Sequence, residues 1–399
     1  MWSVVGLACS LVAGVMTARL LGPGDRGILS VLLTLIGIGT LVGALGTNVA
    51  LRVYLPKDPR VTIGGFLRLS RRMTLFVALV LTPLAVAVEV HLGQSILDPA
   101  MVALVAVLIV ATFMSNQVLD IFNAIHQTSK SAKINTAGFI VVTLALGIAW
   151  LSGVGLHWVL ACYAAGSLVR VLVGRATLGT EVVMVENDHT AARLIRGGLP
   201  LLGTNLGQAL MLRADQLLVG LFLGSHAAGL YAVAATPAGI LTVVANSVGQ
   251  STFAEAAHGR LTLRSLSRQV ALATGITLGL AVVGLLVMPL ALPLLFGAEF
   301  EEGVNIARLL LLAQVALAPY LVLSRAGAGY GLVRLAGLTG FGGVALLVLS
   351  MSLLLPVLGV VGAAIGCICS FMVMDLVLAV GLSAMKPWSR EVDAGSDLS

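Results

Sequence analysis

The chain has 399 residues, of which 59% are hydrophobic and only 10% charged, and its mean hydropathy is +1.07. No water-soluble globular domain of this length has so apolar a composition, and at about 20 apolar residues per crossing the chain is a polytopic helical membrane protein with little left for a soluble domain. The net charge of +6 is no sign of nucleic-acid binding, because in such a chain the placement of Lys and Arg carries the information.

Twelve apolar segments are predicted to cross the bilayer: 2–21, 28–55, 70–90, 99–122, 134–153, 155–177, 198–222, 229–252, 269–296, 304–324, 335–355 and 357–383. Counting loops from the first helix, the even ones hold Arg52, Lys57, Arg60, Arg68, Arg71 and Arg72, then Lys130 and Lys133, then Arg170, Arg175, Arg193 and Arg196, then Arg260, Arg264 and Arg268, then Arg325 and Arg334. With Lys386 and Arg390 of the tail, one side carries 19 of the 23 basic residues. The odd loops hold Arg26, Arg308 at the edge of helix ten, and the acids Asp25, Glu89, Asp98, Glu299, Glu301 and Glu302. The positive-inside rule therefore expects both termini in the cytoplasm. The first apolar run is too long for a signal core and lacks a small-residue cleavage site, so it is expected to remain as helix one.

Leu21-Gly22-Pro-Gly-Asp-Arg-Gly27 recurs as Leu223-Gly224-Ser-His-Ala-Ala-Gly229, a displacement of 202 positions, each copy lying between two apolar runs. Leu67-Arg68-Leu69-Ser70-Arg71-Arg72 before helix three likewise resembles Leu263-Arg264-Ser265-Leu266-Ser267-Arg268 before helix nine. Six spans per half is an even number, so the second half enters the membrane as the first does, and the repeats are parallel. The expected organisation is an N-terminal six-helix lobe at 1–177, a cytoplasmic linker at 178–197, a C-terminal six-helix lobe at 198–383 and a cytoplasmic tail at 384–399. In the linker, residues Ala191 to Arg196 form either a short amphipathic surface helix or plain solvated chain.

An ionisable side chain within a span costs roughly 2.5–3.5 kcal/mol on insertion scales and is a functional candidate by default. Arg19, Asp120, Arg213, Asp215 and Asp375 stand out. On a continuous seventh helix, Thr204, Asn205, Gln208, Asp215 and Gln216 share one face with Arg213 at its flank, a stripe suited to a cavity. Arg213 offers a planar fork for phosphate or carboxylate. Asp215 is a structural counter-ion or a proton-coupled site, and a structural ion pair between helices is the alternative for both residues. Two residues apart, they do not face each other on a helix. Asp120 shares a stripe with Asn116, Asn123 and Gln127, where it is a coupling group, a structural ion-pair member or simply solvated; Arg19 either snorkels to headgroups or faces the cavity. Asp375 has no polar stripe around it.

The four cysteines are read as small packing residues, and the six scattered histidines support no metal site. Gly327, Gly329 and Gly331 lack dinucleotide spacing and are read as a loop between helices ten and eleven. No Walker motif and no nucleophile elbow occurs, so no cofactor and no covalent catalysis are expected.

The segment Ala18-Arg19-Leu-Leu-Gly22-Pro23-Gly24-Asp-Arg-Gly27, with its following helix to Gly46-Thr-Asn-Val-Ala50, resembles the opening of polysaccharide exporters of the multidrug/oligosaccharidyl-lipid/polysaccharide (MOP) superfamily. Arg213-Ala-Asp215-Gln-Leu-Leu-Val-Gly220-Leu-Phe-Leu-Gly224 and Ala228-Gly229-Leu-Tyr231-Ala-Val-Ala234 look like helices seven and eight of Wzx-type flippases. The resemblance implies two six-helix lobes in a V that open alternately to either side. It also implies a cell inner-membrane protein, not an enzyme, that carries an undecaprenyl-pyrophosphate-linked oligosaccharide to the periplasmic leaflet. Substrate contacts would fall to Arg213 and Arg19 with Asn205 and Gln208, and the partners would be membrane lipids and a polysaccharide polymerase or glycosyltransferase. A cation-coupled multidrug antiporter of the related multidrug-extrusion (MATE) family is the alternative, its carboxylates being Asp120, Asp215 and Asp375. A membrane glycan polymerase or transferase would need a large external loop, and no odd loop is long enough.

The expected topology is directly testable in a background without native cysteines. A membrane-impermeant thiol reagent applied from outside should label Ser225→Cys and leave Arg68→Cys unlabelled; the opposite pattern would invert the assignment.

Overall fold

The computed structural model describes residues 2–56, 62–93, 98–153, 155–178 and 189–385; within helices, the side chains of residues 3, 189, 200, 201, 203–205, 333 and 336 are outside the description. Most of the expected tail and the linker residues 179–188 also fall outside. Twelve α-helices make up the described chain: α1 (Trp2–Gly43), α2 (Thr47–Tyr54), α3 (Ile63–His91), α4 (Pro99–Ala124), α5 (Thr128–Ser152), α6 (Leu156–Leu178), α7 (His189–Met211), α8 (Ala214–Ala257), α9 (Leu263–Phe296), α10 (Gly303–Gly329), α11 (Val333–Leu358) and α12 (Val360–Met385), with a 3₁₀ turn at Ala298–Phe300. Among the described residues there is no strand.

Ten of these helices are long and apolar enough to cross a membrane. The difference from the twelve predicted segments lies in α1 and α8, with 42 and 44 residues. At about 1.5 Å per residue each would run some 65 Å, about twice the hydrocarbon thickness. Each contains one non-helical residue: Gly22 (φ 66°, ψ 179°) in α1 and Gly224 (φ 84°, ψ −178°) in α8. A positive φ of this kind is open to glycine and strained for other residues. The repeated glycine motif is therefore a one-residue break with the same backbone geometry in both copies. The seventh segment, 198–222, is not one helix: α7 stops at Met211, and α8 starts at Ala214.

The chain divides into two compact units, 1–203 with 224–229, and 204–223 with 230–399. In the first, α5 packs along α1 and α6, and α4 along α3 and α6. The α5–α6 approach is so close that a Cβ on Gly166 would sit 2.8 Å from the Gly138 carbonyl oxygen and against Val142, the small-residue packing that membrane helices use. Both glycine motifs belong to this unit and pack reciprocally. A Cβ on Gly27 would strike the Ser225 carbonyl, and a Cβ on Gly229 would strike the Pro23 carbonyl, partners that are themselves 202 positions apart.

Linker residues 189–197 form the first turns of α7 and pack as a helix. Gly198 abuts Gly46, a Cβ there reaching 2.7 Å from the Gly46 carbonyl carbon, and the Arg193 guanidinium lies 5.0 Å over the Tyr54 ring. Arg26, assigned by the loop count to an outer turn, is instead only 8% exposed and lies within electrostatic reach of Tyr163. Arg170 is held by Asn135 Oδ1 at 3.2 Å and Ser167 Oγ at 2.9 Å and stacks 5.6 Å from the Phe139 ring centre.

In the second unit α10 packs between α9 and α12, and α11 along α12. The helices α3 and α9 start alike: Thr62 Oγ1 accepts the Gly65 N–H at 3.1 Å and Thr262 Oγ1 accepts the Ser265 N–H at 3.2 Å. These N-caps satisfy donors that a helix start leaves orphaned. They align the halves at a displacement of 200, so the arginine motifs match one helical turn away from the register read in the sequence. Gly327 and Gly329 lie inside α10, and only Gly331 (φ 75°) is in the turn.

The reciprocal glycine contact has a measurable weight. Gly27→Val or Gly229→Val should lower stability by about 1–3 kcal/mol or more, because the clash is with backbone that cannot rotate away. Gly24→Ala, where nothing lies within 4 Å of a new Cβ, should be near neutral. Thermal unfolding of the purified variants in detergent checks both.

Candidate functional site

The site begins at the interruption between α7 and α8. The Leu212 N–H reaches the Gln208 carbonyl at 3.2 Å and the Arg213 N–H the Leu210 carbonyl at 3.1 Å, closing α7. Arg213 adopts φ −139° and ψ −13°, outside the helical pair of angles, and α8 restarts behind it. Asp215 thus stands in the first turn of a new helix, where the backbone N–H groups and the helix dipole favour an anion. Its Oδ1 accepts the Gln216 N–H at 2.8 Å and its Oδ2 accepts the Tyr231 hydroxyl at 2.6 Å. The Cys367 thiol of α12 lies 3.8 Å from that Oδ2 and from the Tyr231 oxygen. Tyr231 is completely buried and Cys367 is 2% exposed.

Around this knot, within the second unit, lies a cavity of about 380 Å³. Arg213 and Asp215 form its charged end, and Gln216 and Asn246 of α8 with Gln314 of α10 add neutral amides. The Gln314 Oε1 accepts the Thr242 hydroxyl at 2.6 Å, which leaves its amide N–H groups for other partners. Leu317 and Phe371 make an apolar wall. Both carboxylate oxygens of Asp215 are engaged within the protein, whereas the Arg213 side chain is exposed. The cavity therefore presents a guanidinium fork, several amides and an aromatic face.

The structure brings Arg213 and Asp215 to one cavity, but not through the predicted helical face. Because the helix is broken at 212–213, Asp215 and Gln216 no longer share a face with residue 208. Gln208 is on α7, its backbone against Gly340 of α11, and is not part of the cavity lining. The Asn205 side chain lies outside the described residues. Arg19 is exposed on α1, and Asp120 of α4 is paired at 2.5 Å with Arg52 of α2. Arg213 is within electrostatic reach of Asp215, which the helical argument had set apart. Tyr231, Gln314, Asn246 and Cys367 were not singled out from the sequence. Gln314 carried a weak signal, a lone amide in an apolar run; Cys367, read as packing, carried none. Among the described residues no group of three His, Cys, Asp or Glu side chains is placed to hold a metal.

Fold and cavity together define a class, a polytopic helical membrane protein with the MOP-superfamily fold. The structure is similar to a multidrug resistance MATE family transporter of that superfamily in an inward-facing conformation (TM-score 0.76, 16% identity, 96% of this chain and 99% of that one). It is also similar to the lipid II flippase MurJ in an inward closed conformation (TM-score 0.73, 12% identity, 97% and 87%) and to a mutant of the Vibrio cholerae MATE transporter VcmN (TM-score 0.67, 15% identity, 97% and 95%). No curated protein sequence matches the chain. Residues 16–305 match the family of polysaccharide biosynthesis proteins, and the chain belongs to that family.

If the Tyr231–Asp215 bond holds the cavity together, Tyr231→Phe should cost about 1.5–3 kcal/mol, the range for a hydrogen bond to a charged group. Adding Asp215→Asn should cost less than the two single effects combined, because the bond can be lost only once. Unfolding of the four proteins in the double-mutant cycle measures the coupling, and strict additivity would show that the bond contributes nothing.

Proposed function

We propose that the protein is a flippase that moves a lipid-linked oligosaccharide, the lipid carrier being undecaprenyl pyrophosphate, from the cytoplasmic to the periplasmic leaflet for polysaccharide biosynthesis. It acts as a transporter, not an enzyme, by alternating exposure of one cavity to the two sides. The observation that carries this reading is the division of labour in the cavity: Asp215 has both oxygens occupied, while Arg213 is exposed. A carboxylate already satisfied by the protein is a poor site for a cationic drug. An exposed guanidinium matches a diphosphate bidentately, and Gln216, Asn246 and Gln314 suit the hydroxyls of a sugar. A volume of about 380 Å³ accommodates the diphosphate and the first sugar, not a whole glycan.

Family membership and the likeness to both MATE transporters and a flippase support transport, and the cavity chemistry favours the flippase branch. In this reading residues 1–177 and 198–383 are the two lobes, joined by the cytoplasmic linker 178–197, with both termini and the tail 384–399 on the cytoplasmic side of a bacterial inner membrane. Arg19 is a second contact for the anionic carrier, Asn205 and Gln208 line the substrate path in other states of the cycle, and Asp120 is a structural ion-pair member through Arg52. A polymerase or glycosyltransferase that makes or consumes the glycan is the expected partner.

Arg213→Ala should slow transfer of a fluorescent pyrophosphate-linked saccharide across reconstituted vesicles by about 10- to 100-fold, the equivalent of losing one charge-assisted contact. Arg213→Lys should retain an intermediate rate, since it keeps the charge and loses the fork. Equal rates for all three proteins would remove Arg213 from the mechanism. In cells lacking the protein, lipid-linked saccharide should accumulate on the cytoplasmic leaflet; an unchanged distribution with loss of dye efflux would indicate a drug antiporter.

A further inference from the structure

Two helical turns beyond Cys367, on the same face of α12 as Cys367 and Phe371, stands Asp375. Its Oδ1 is buried and has no hydrogen-bond partner. On the facing helix α10, Tyr320 follows the cavity residue Leu317 by three positions, is 1% exposed, and lies within electrostatic reach of Asp375. The Tyr320 hydroxyl is tied to Thr339 of α11. Further along α10, Arg325 lies within reach of Tyr320, and its Nε is also buried without a partner. The second unit thus places a carboxylate near a buried tyrosine twice: Asp215 with Tyr231 on α8 at the cavity, and Asp375 with Tyr320 in the α10–α12 seam beyond the apolar layer of Leu317 and Phe371.

The two carboxylates differ in what the fold supplies. Asp215 has two close donors, while Asp375 has a buried oxygen with none. A carboxylate left so is costly in a low-dielectric interior, and a proton removes the charge outright. A metal cation needs several oxygens around it, and among the described residues no group of three His, Cys, Asp or Glu side chains is placed to hold one. The ionisable groups on the two helices packed along α12 are Arg308, Tyr320 and Arg325 on α10 and Arg334 on α11, and α8 brings Arg213, Asp215 and Tyr231 to the Cys367 end two turns away. Among the described residues α10, α11 and α12 carry no carboxylate besides Asp375, and that of Asp215 is already held by Tyr231 and the Gln216 N–H.

We infer that Asp375 is a proton-binding station of the α10–α12 seam, set between the cavity and the cytoplasmic ends of these helices. Its carboxylate takes one proton from the cytoplasmic side to become a neutral acid and releases the same proton to restore the anion, with no other bond made or broken. The role in transport rests on the flippase reading above; the occupancy of the site does not.

The test uses the purified full-length protein in lipid vesicles and a hydrophobic carbodiimide, which adds to protonated carboxyls in apolar surroundings. Peptide mass spectrometry should find the adduct on Asp375, with labelling that falls about tenfold per pH unit above its midpoint, as a single titrating site requires. Exchange of potassium for sodium should leave labelling unchanged. Asp375→Asn should remove the adduct and Asp375→Glu should restore it, with gel filtration and thermal unfolding showing that both variants fold. No adduct on Asp375 at any pH, or protection by sodium, would overturn the inference. Adduct formation in vesicles that transfer no lipid-linked saccharide would leave the proton site standing and sink the flippase reading, while transfer without the adduct would do the reverse.

Discussion

The constraint on which the rest of this structure depends is that hydrocarbon offers no hydrogen-bond partner to the backbone. Each N–H or C=O left open there costs several kcal/mol, so a chain that crosses repeatedly must be helical almost throughout. Interruptions are then confined to places where the protein itself supplies partners. Three interruptions organise this chain. Two are single glycines, Gly22 and Gly224, at which the 42- and 44-residue helices divide into legs. The third is the Leu212–Arg213 step, where α7 ends with its last amides bonded to its own carbonyls and a new helix start faces a cavity.

The glycine breaks were legible in the sequence because glycine is conspicuous where a positive φ is needed and where backbones touch. The recurrence of Leu-Gly with a second glycine five residues on encodes both demands: Gly22 and Gly224 take the dihedral angles, Gly27 and Gly229 the close approach. The all-helical class followed from hydropathy, while the twelve predicted segments correspond to ten helices long and apolar enough to cross, because α1 and α8 each run through a glycine break. The Leu212–Arg213 break was not legible. No glycine or proline marks it, and apolar residues continue on both sides, so a period of 3.6 was carried straight through it. That error put Gln208 on the Asp215 face and separated Arg213 from Asp215. The intramembrane charges themselves were visible, because cost marks them out. Their neutral partners were not: Tyr231, Gln314 and Cys367 cost little in an apolar helix, and only tertiary contact reveals their use.

The loop-charge count failed at Arg26 for a related reason. Sequence position near a turn says where the Cα lies, but a long side chain can be drawn inward. Arg26 is 8% exposed beside Tyr163, and Arg170, counted with an even loop, is held by Asn135, Ser167 and Phe139. Both arginines therefore belong to the interior of the first unit.

The repeat also supplies an internal control for the cavity. Around the glycine breaks the displacement of 202 places Arg213, Asp215 and Tyr231 opposite Leu11, Ala13 and Leu29. In the first copy α1 runs unbroken through residues 10–13, and Ala13 and Leu29 are 2% and 0% exposed. The same helix–glycine–helix element therefore packs with an apolar pair where the second copy holds a half-buried carboxylate bonded to a buried phenol. Replacing a buried polar pair by apolar residues of similar packing is often neutral or stabilising, so the scaffold does not require Asp215, Tyr231 or the break that precedes them. What the second copy gains from them is a helix start, a carboxylate with both oxygens bonded and an exposed guanidinium within electrostatic reach of it. Their absence from the equivalent place in the first copy shows that the helix–glycine–helix element packs without them.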